Sequence, residues 1–221
     1  MKFIAIFLWV SCFSLPLVSC SQNGKQTNNK KQQKLIQVGG GCEGCEAIYE
    51  TPIPFEKLLY IDTLPDYFEA GLKLIVSGVI YKADGKTPAS DVVMYLYHTD
   101  QQGLYSDGEH ETGWGKRHGS IRGWIKTNEK GEYQFLTLKP ASYPGSTIPA
   151  HIHPTIKEVC CTEYYIDDYL FDNDVFLTKE ERRKLSERGG NGILQLKMNN
   201  GIYYAARNII LGLHIPDYPK Q

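Results

Sequence analysis

The amino-acid sequence predicts an all-β fold, an antiparallel β-sandwich of about eight strands with one short surface helix. Three observations lead there. Tyr is abundant, 15 of 221 residues, beside 21 Gly and 11 Pro, a composition that suits half-buried aromatic strands and turns better than a helical bundle. From Leu72 onward, apolar residues recur at about every second position in short runs, the period of a strand with one buried face. Between the runs stand Gly, Pro, Asn and Asp, which turns require. The length suits one core. Charge is balanced, 24 Lys+Arg against 25 Asp+Glu for a formal net charge of −1, which removes electrostatic capture of nucleic acid as a default function.

In chain order, residues 1–19 begin with Lys2, continue through the apolar run FIAIFLWV and close on Leu17-Val18-Ser19 before Cys20. That layout belongs to a secretory signal rather than to a spanning helix, and it resembles a bacterial lipoprotein signal. Cleavage would leave Cys20 as a lipidated first residue anchoring the chain to a membrane of the cell envelope. Residues 20–34 include SQNGKQTNNKKQQK, with no aromatic, branched aliphatic or acid, which makes a flexible tether. Residues 35–71 form an N-terminal arm, and residues 72–221 the sandwich. Secretion implies an oxidising compartment, so Cys42, Cys45, Cys160 and Cys161 are expected in disulfides. Adjacent cysteines bridge each other with strain, so at least one disulfide is expected to join the Cys42/Cys45 pair to the Cys160/Cys161 pair and pin the arm to the body.

The body opens with LKLIVSGVIY, the turn Ala83-Asp84-Gly85-Lys86 and DVVMYLYHT, read as a hairpin. IRGWIKT, the turn Asn128-Glu129-Lys130-Gly131 and EYQFLTL repeat the pattern. A Pro/Gly loop, KPASYPGSTIP, leads to a strand beginning AHIH, and TEYYI, ILQLKM, IYYAA and NIILGLHI supply the rest. The helix is expected at 179–188, where Thr178 can cap it with Glu181 three residues on and Gly189-Gly190 stop it.

His151-Ile152-His153 is the sharpest local feature. Strand side chains alternate faces, so both imidazoles point to one side and can share a metal while Ile152 enters the core. Two histidines at this spacing are equally compatible with structural roles. Tyr143 in the Pro-bounded loop and Tyr105 at the end of YLYHTDQQGLY bring two phenols toward the same place. Phenolate is a hard anionic donor suited to ferric iron, and two phenolates with two neutral imidazoles leave a centre of net charge +1 that attracts an anionic substrate.

From Leu72 to His153 the chain carries, in order, VSGVIYKADGKTPASDVVMYLYHTDQQGLYS, IRGWIKTNEKGEYQFLTLKPASYP and PAHIH. This series resembles the intradiol ring-cleavage dioxygenases, most of all the protocatechuate dioxygenase β-subunit group, and TEYYIDD is similar to a further strand of that family. The resemblance implies Fe(3+) held by Tyr105, Tyr143, His151 and His153, with Tyr105 and His151 equatorial and Tyr143 and His153 axial. It implies a catechol-type substrate and dioxygen, with Tyr143 leaving the metal to accept a substrate proton. Where many family members have an Arg and a Gln, this chain has Ile148 and Glu163, so the resemblance leaves Arg122 or Arg207 as substitute catalytic cations, although Arg122 also suits a half-exposed strand position. A homo-oligomer is compatible with the sequence, and the alternative reading is a non-catalytic β-sandwich lipoprotein binding a ligand or partner.

Overall fold

The structure, a computed structural model, describes residues 34–106, 108 and 111–220. The expected signal at 1–19, Cys20 and the tether as far as residue 33 lie outside the described residues. Among the described residues no helix is long and apolar enough to cross a membrane.

Among the described residues alternation makes twelve strands rather than eight: β1 (Ile61–Thr63), β2 (Lys73–Tyr81), β3 (Val93–His98), β4 (Arg122–Lys126), β5 (Glu132–Leu138), β6 (His151–Lys157), β7 (Tyr164–Tyr165), β8 (Tyr169–Phe171), β9 (Ile193–Leu194), β10 (Lys197–Asn199), β11 (Ile202–Ala206) and β12 (Ile209–Ile210). One sheet has the order β1-β5-β2-β11-β10, with β12 also on β2; the other has β4-β3-β6-β8-β9, with β7 also on β6. Between them pack Leu74, Val76, Ile80 and Phe135 from the first sheet and Met94, Leu96, Ile152 and Ile156 from the second. All eight are essentially buried.

Two expectations about pairing are corrected. The sheets are mixed rather than antiparallel: β1 lies parallel to β5, β11 and β12 parallel to β2, and β9 parallel to β8. The β2/β3 and β4/β5 pairs are not hairpins, because β2 and β5 pair with each other while β3 lies between β4 and β6 in the other sheet. Leu74 and Val76 face Met94 and Leu96 across the core, so each turn carries the chain from one layer to the other. Periodicity fixes which face of a strand is buried but not its lateral neighbour.

The outer face of the second sheet is covered as well. A 3-10 helix at Cys45–Glu50 buries Ala47 and Ile48 against Val93 and Tyr95 of β3. The arm is therefore part of the body, but disulfides do not fix it there. Cys42 bonds to Cys45 and Cys160 to Cys161, which overturns the expected cross-link. Backbone pairing holds the arm instead: Ile36 N donates to Cys160 O at 2.9 Å and Thr162 N to Ile36 O at 2.8 Å.

Among the described residues there are two short α-helices, α1 (Gly115–His118) and α2 (Lys179–Lys184). The Thr178 hydroxyl caps α2 by accepting from Glu181 N at 3.2 Å. This helix ends at Lys184, not at 188, because Leu185 turns extended.

Candidate metal centre

The site lies on the outer face of the second sheet. Along β6, Ile152 and Ile156 enter the core, so His151 and His153 point outward together. Tyr105 sits in the loop after β3 and Tyr143 in the loop after β5. These loops are joined directly: Thr99 Oγ1 donates to Ala141 O at 2.7 Å, and Ala141 N to Asp100 O at 3.2 Å. Gly103, with φ +79°, lies so close to the second loop that an added Cβ would stand 2.0 Å from Ser142 O.

All four expected ligand side chains meet. Tyr105 Oη is 2.7 Å from Tyr143 Oη and 2.9 Å from His153 Nε2, and Tyr143 Oη is 3.2 Å from His151 Nε2. Each ring has its other nitrogen engaged. His151 Nδ1–H donates to Pro149 O at 2.7 Å, and His153 Nδ1–H to Asp168 Oδ1 at 2.9 Å. Both Nε2 lone pairs are thereby aimed at the phenols. Burial holds His151 below its ordinary pKa and keeps it a neutral donor. Burial, then the hydrogen bond with Tyr143, pushes the Tyr105 phenol well up, so a cation is needed to make it a phenolate. Two phenol oxygens and two oriented imidazoles within hydrogen-bond reach fit a hard trivalent metal that displaces the phenolic protons.

Sequence reasoning missed three contributors. Asp168 precedes β8 and forms, with His151 and His153, a set whose ligand atoms lie within 4.8 Å of one another. Burial opposes its charge, but His153 holds its pKa below the usual carboxylate value. Its bond to His153 makes it the orienting carboxylate of a histidine ligand. Tyr97, opposite His153 in the β3/β6 register, stacks on that ring with centroids 4.5 Å apart. His118 stacks on Tyr97 at 3.8 Å. The register of β3 on β6 would have revealed Tyr97; no local signal marks Asp168 or His118.

The two expected substitute cations have other partners. Arg122 lies between Glu50 at 2.8 Å and Glu111 at 2.6 Å, with its guanidinium over the Trp124 ring. Two carboxylates thus neutralise it. Arg207 is buried, donating to Asp167 O at 2.7 Å beneath the Tyr169 ring, where it holds the segment that carries Asp168. Glu163 accepts from Tyr49 Oη at 2.7 Å and so fastens the arm. Ile148 lies on the cavity wall, half exposed.

A strand sandwich carrying two tyrosines and two histidines on one outer face defines a metal-binding enzyme scaffold, and comparison with known proteins names the class. The model of the dioxygenase family matches residues 56–184, more than half of the sequence. The chain belongs to this family, the intradiol ring-cleavage dioxygenases. It is 30% identical over 160 residues to catechol 1,2-dioxygenase 1 of Acinetobacter lwoffii, an alignment covering 62% of this chain and 50% of that protein. The chain thus spans about half the length of this curated relative. Among solved structures it is similar to the dioxygenase domain of a dioxygenase and carbohydrate-binding protein fusion from Streptomyces sp. SirexAA-E, with TM-score 0.54, 19% identity, 67% of this chain and 85% of that one. It also resembles catechol 1,2-dioxygenase from Acinetobacter sp. ADP1, with TM-score 0.52, 19% identity, 69% of this chain and 56% of that one. At these identities the structural likeness speaks for the fold.

Proposed function

We propose that this protein is a non-haem iron intradiol dioxygenase that opens a catechol between its two hydroxyl-bearing carbons. The convergence of Tyr105 Oη, Tyr143 Oη, His151 Nε2 and His153 Nε2 carries this reading. These four residues would hold Fe(3+), which when bound draws electron density from the catechol and makes its ring reactive toward dioxygen. The balance needs no other reductant: both oxygen atoms enter the product, one carbon–carbon bond breaks, and each of its carbons becomes a carboxyl group.

The residues of the chain position and move protons. Tyr143, whose imidazole contact is the longer of the two, 3.2 Å to His151 against 2.9 Å from Tyr105 to His153, would be the residue to depart and accept a catechol proton at Oη. Tyr105, bonded to both Tyr143 and His153, stays and keeps the anionic count at the site. Asp168 and Pro149 O hold the imidazoles with Nε2 forward, and Tyr97 fixes the plane of His153.

The test is reconstitution of the purified protein with iron. A visible tyrosinate-to-iron band should appear, Tyr105→Phe or Tyr143→Phe should shift or bleach it, and Tyr143→Phe should keep iron but lose cleavage, whereas His151→Ala should lose iron. Mass spectrometry should find dicarboxylic products. A protein that remains colourless and metal-free would leave a non-catalytic binding protein, and products opened beside the hydroxyls would refute the intradiol assignment. We further propose that lipidated Cys20 tethers the enzyme to a membrane of the cell envelope, a reading supported by the signal-like run ending at Ser19.

A further inference from the structure

The cavity over the site is much larger than one catechol ring. It is a solvent-open cleft of about 580 Å³, whereas a cavity of about 150 Å³ is enough to hold benzene. Around Tyr143, His151 and His153 its wall is polar. The remaining wall includes Ile148, Tyr165, Leu177 and Leu185, and two of these large side chains are left open, Ile148 at 51% and Tyr165 at 40% exposure. Its charge is one-sided. The carboxylates of Glu43, Asp167, Asp168 and Glu181 line it. Glu43 is paired with Arg117 and Glu181 with Lys184, so that among the described residues Asp167 and Asp168 are the two without a Lys or Arg partner. The sole Lys or Arg among the described lining residues is Lys184. That ammonium is already spent, 2.7 Å from Glu181 and 3.5 Å from Glu180.

We infer that the substrate is a catechol bearing a second, uncharged aromatic ring, and that Ile148, Tyr165 and Leu185 select it. This rests on reading the site as a catechol-cleaving centre. A catechol ring placed at the four donors leaves most of the volume unfilled, and water there would face apolar side chains that gain from burial. A second ring takes up part of that volume, about 150 Å³ on the same scale, and shields Ile148 and Tyr165 from water. A carboxylate substituent would enter a cavity that offers no free cation among the described residues and presents the carboxylates of Asp167 and Asp168, neither paired with a Lys or Arg, an arrangement that disfavours it by repulsion as well as by lack of fit. Nothing positive at position 148 counters this.

The experiment compares catechol, protocatechuate, 4-(2-aminoethyl)catechol and 4-phenylcatechol, by oxygen uptake on the iron-loaded full chain and by anaerobic calorimetry on the metal-free chain. 4-Phenylcatechol should show kcat/KM at least about tenfold above catechol, and should bind the metal-free chain about tenfold or more tightly than catechol, as burying a Phe-sized group implies. Protocatechuate should be the poorest of the four. Ser186→Trp, which adds bulk on the cavity wall, should reduce kcat/KM for 4-phenylcatechol at least about fivefold more than for catechol, and Ile148→Lys should raise protocatechuate about tenfold relative to catechol. A ranking led by catechol, protocatechuate or the aminoethyl compound overturns this inference while leaving ring cleavage intact. Failure to open any catechol removes the proposed activity instead, and calorimetry still decides the cavity: equal binding of catechol and 4-phenylcatechol refutes the two-ring assignment.

Discussion

Replacing Gly103, a buried residue in the loop before Tyr105, by alanine should disturb the site well beyond its own loop. Gly103 has φ +79°, and a Cβ there would lie 2.0 Å from Ser142 O, one residue from Tyr143. The left-handed backbone alone costs a non-glycine residue roughly 1 kcal/mol. A carbon–oxygen contact settles near about 3.3 Å or beyond, so the loops bearing Tyr105 and Tyr143 must separate by more than 1 Å, by subtraction. The 2.7 Å contact between the two phenol oxygens lies between these loops. A shift of that size in reacting groups costs on the order of a hundredfold in rate. Gly85→Ala is the control: its φ is +66°, but its Cβ would meet only Ile210 Cδ1 at 3.4 Å, a contact that a side chain can relieve. Urea denaturation should show Gly103→Ala losing about 2–4 kcal/mol, backbone strain plus displacement, against about 1 kcal/mol for Gly85→Ala. Cleavage kinetics of the iron-loaded proteins should show the rate loss in Gly103→Ala alone. If both variants lose equal stability and Gly103→Ala keeps its rate within twofold, the close approach does not set the phenol spacing.

Asp168→Asn should weaken iron binding by about 10- to 100-fold by loosening His153, measured by chelator competition, and unchanged affinity would deny Asp168 its orienting role. His118 is buried and its pKa is held down to about 4, first by burial and then by the His153 and Arg122 charges. Its folded value lies below the unfolded 6.5, so it contributes stability above pH 6.5 that is lost as pH falls toward 4, at most roughly 3 kcal/mol. Urea midpoints between pH 7.5 and 4.5 should therefore fall more steeply for the native protein than for His118→Asn, and parallel slopes would contradict this. Cys20→Ala should move the protein out of the detergent phase in partitioning without changing its thermal midpoint; continued partitioning after signal removal would end the lipid-anchor reading.

The face that carries the site was legible because it depends on period alone. His151 and His153 two apart on β6, with Ile152 inward, follow from alternation. Tyr105 and Tyr143 were placed through resemblance, since their loops meet only after β3 and β5 have entered different sheets. Asp168 had no such route: it reaches His153 because Arg207 and the β8 pairing hold its turn, contacts 15 to 40 residues apart. The disulfide expectation failed for the opposite reason. The arm looked in need of a long-range link, yet a backbone bridge at Ile36 and the seat of Ile48 under β3 already supplied one.

The parallel seating of β11 and β12 on β2 sets an order on the birth of the molecule. During synthesis β2 is joined first by β5, while its other edge waits for residues 202–210. Until they emerge, that edge presents unpaired backbone donors and acceptors to any passing strand. If the chain is exported as proposed above, it would travel before this last seam closes, and its completion would belong to the compartment of arrival. Loss of the segment beyond residue 201 would leave β2 permanently open, and the expected fate of such a product is aggregation rather than a smaller working enzyme.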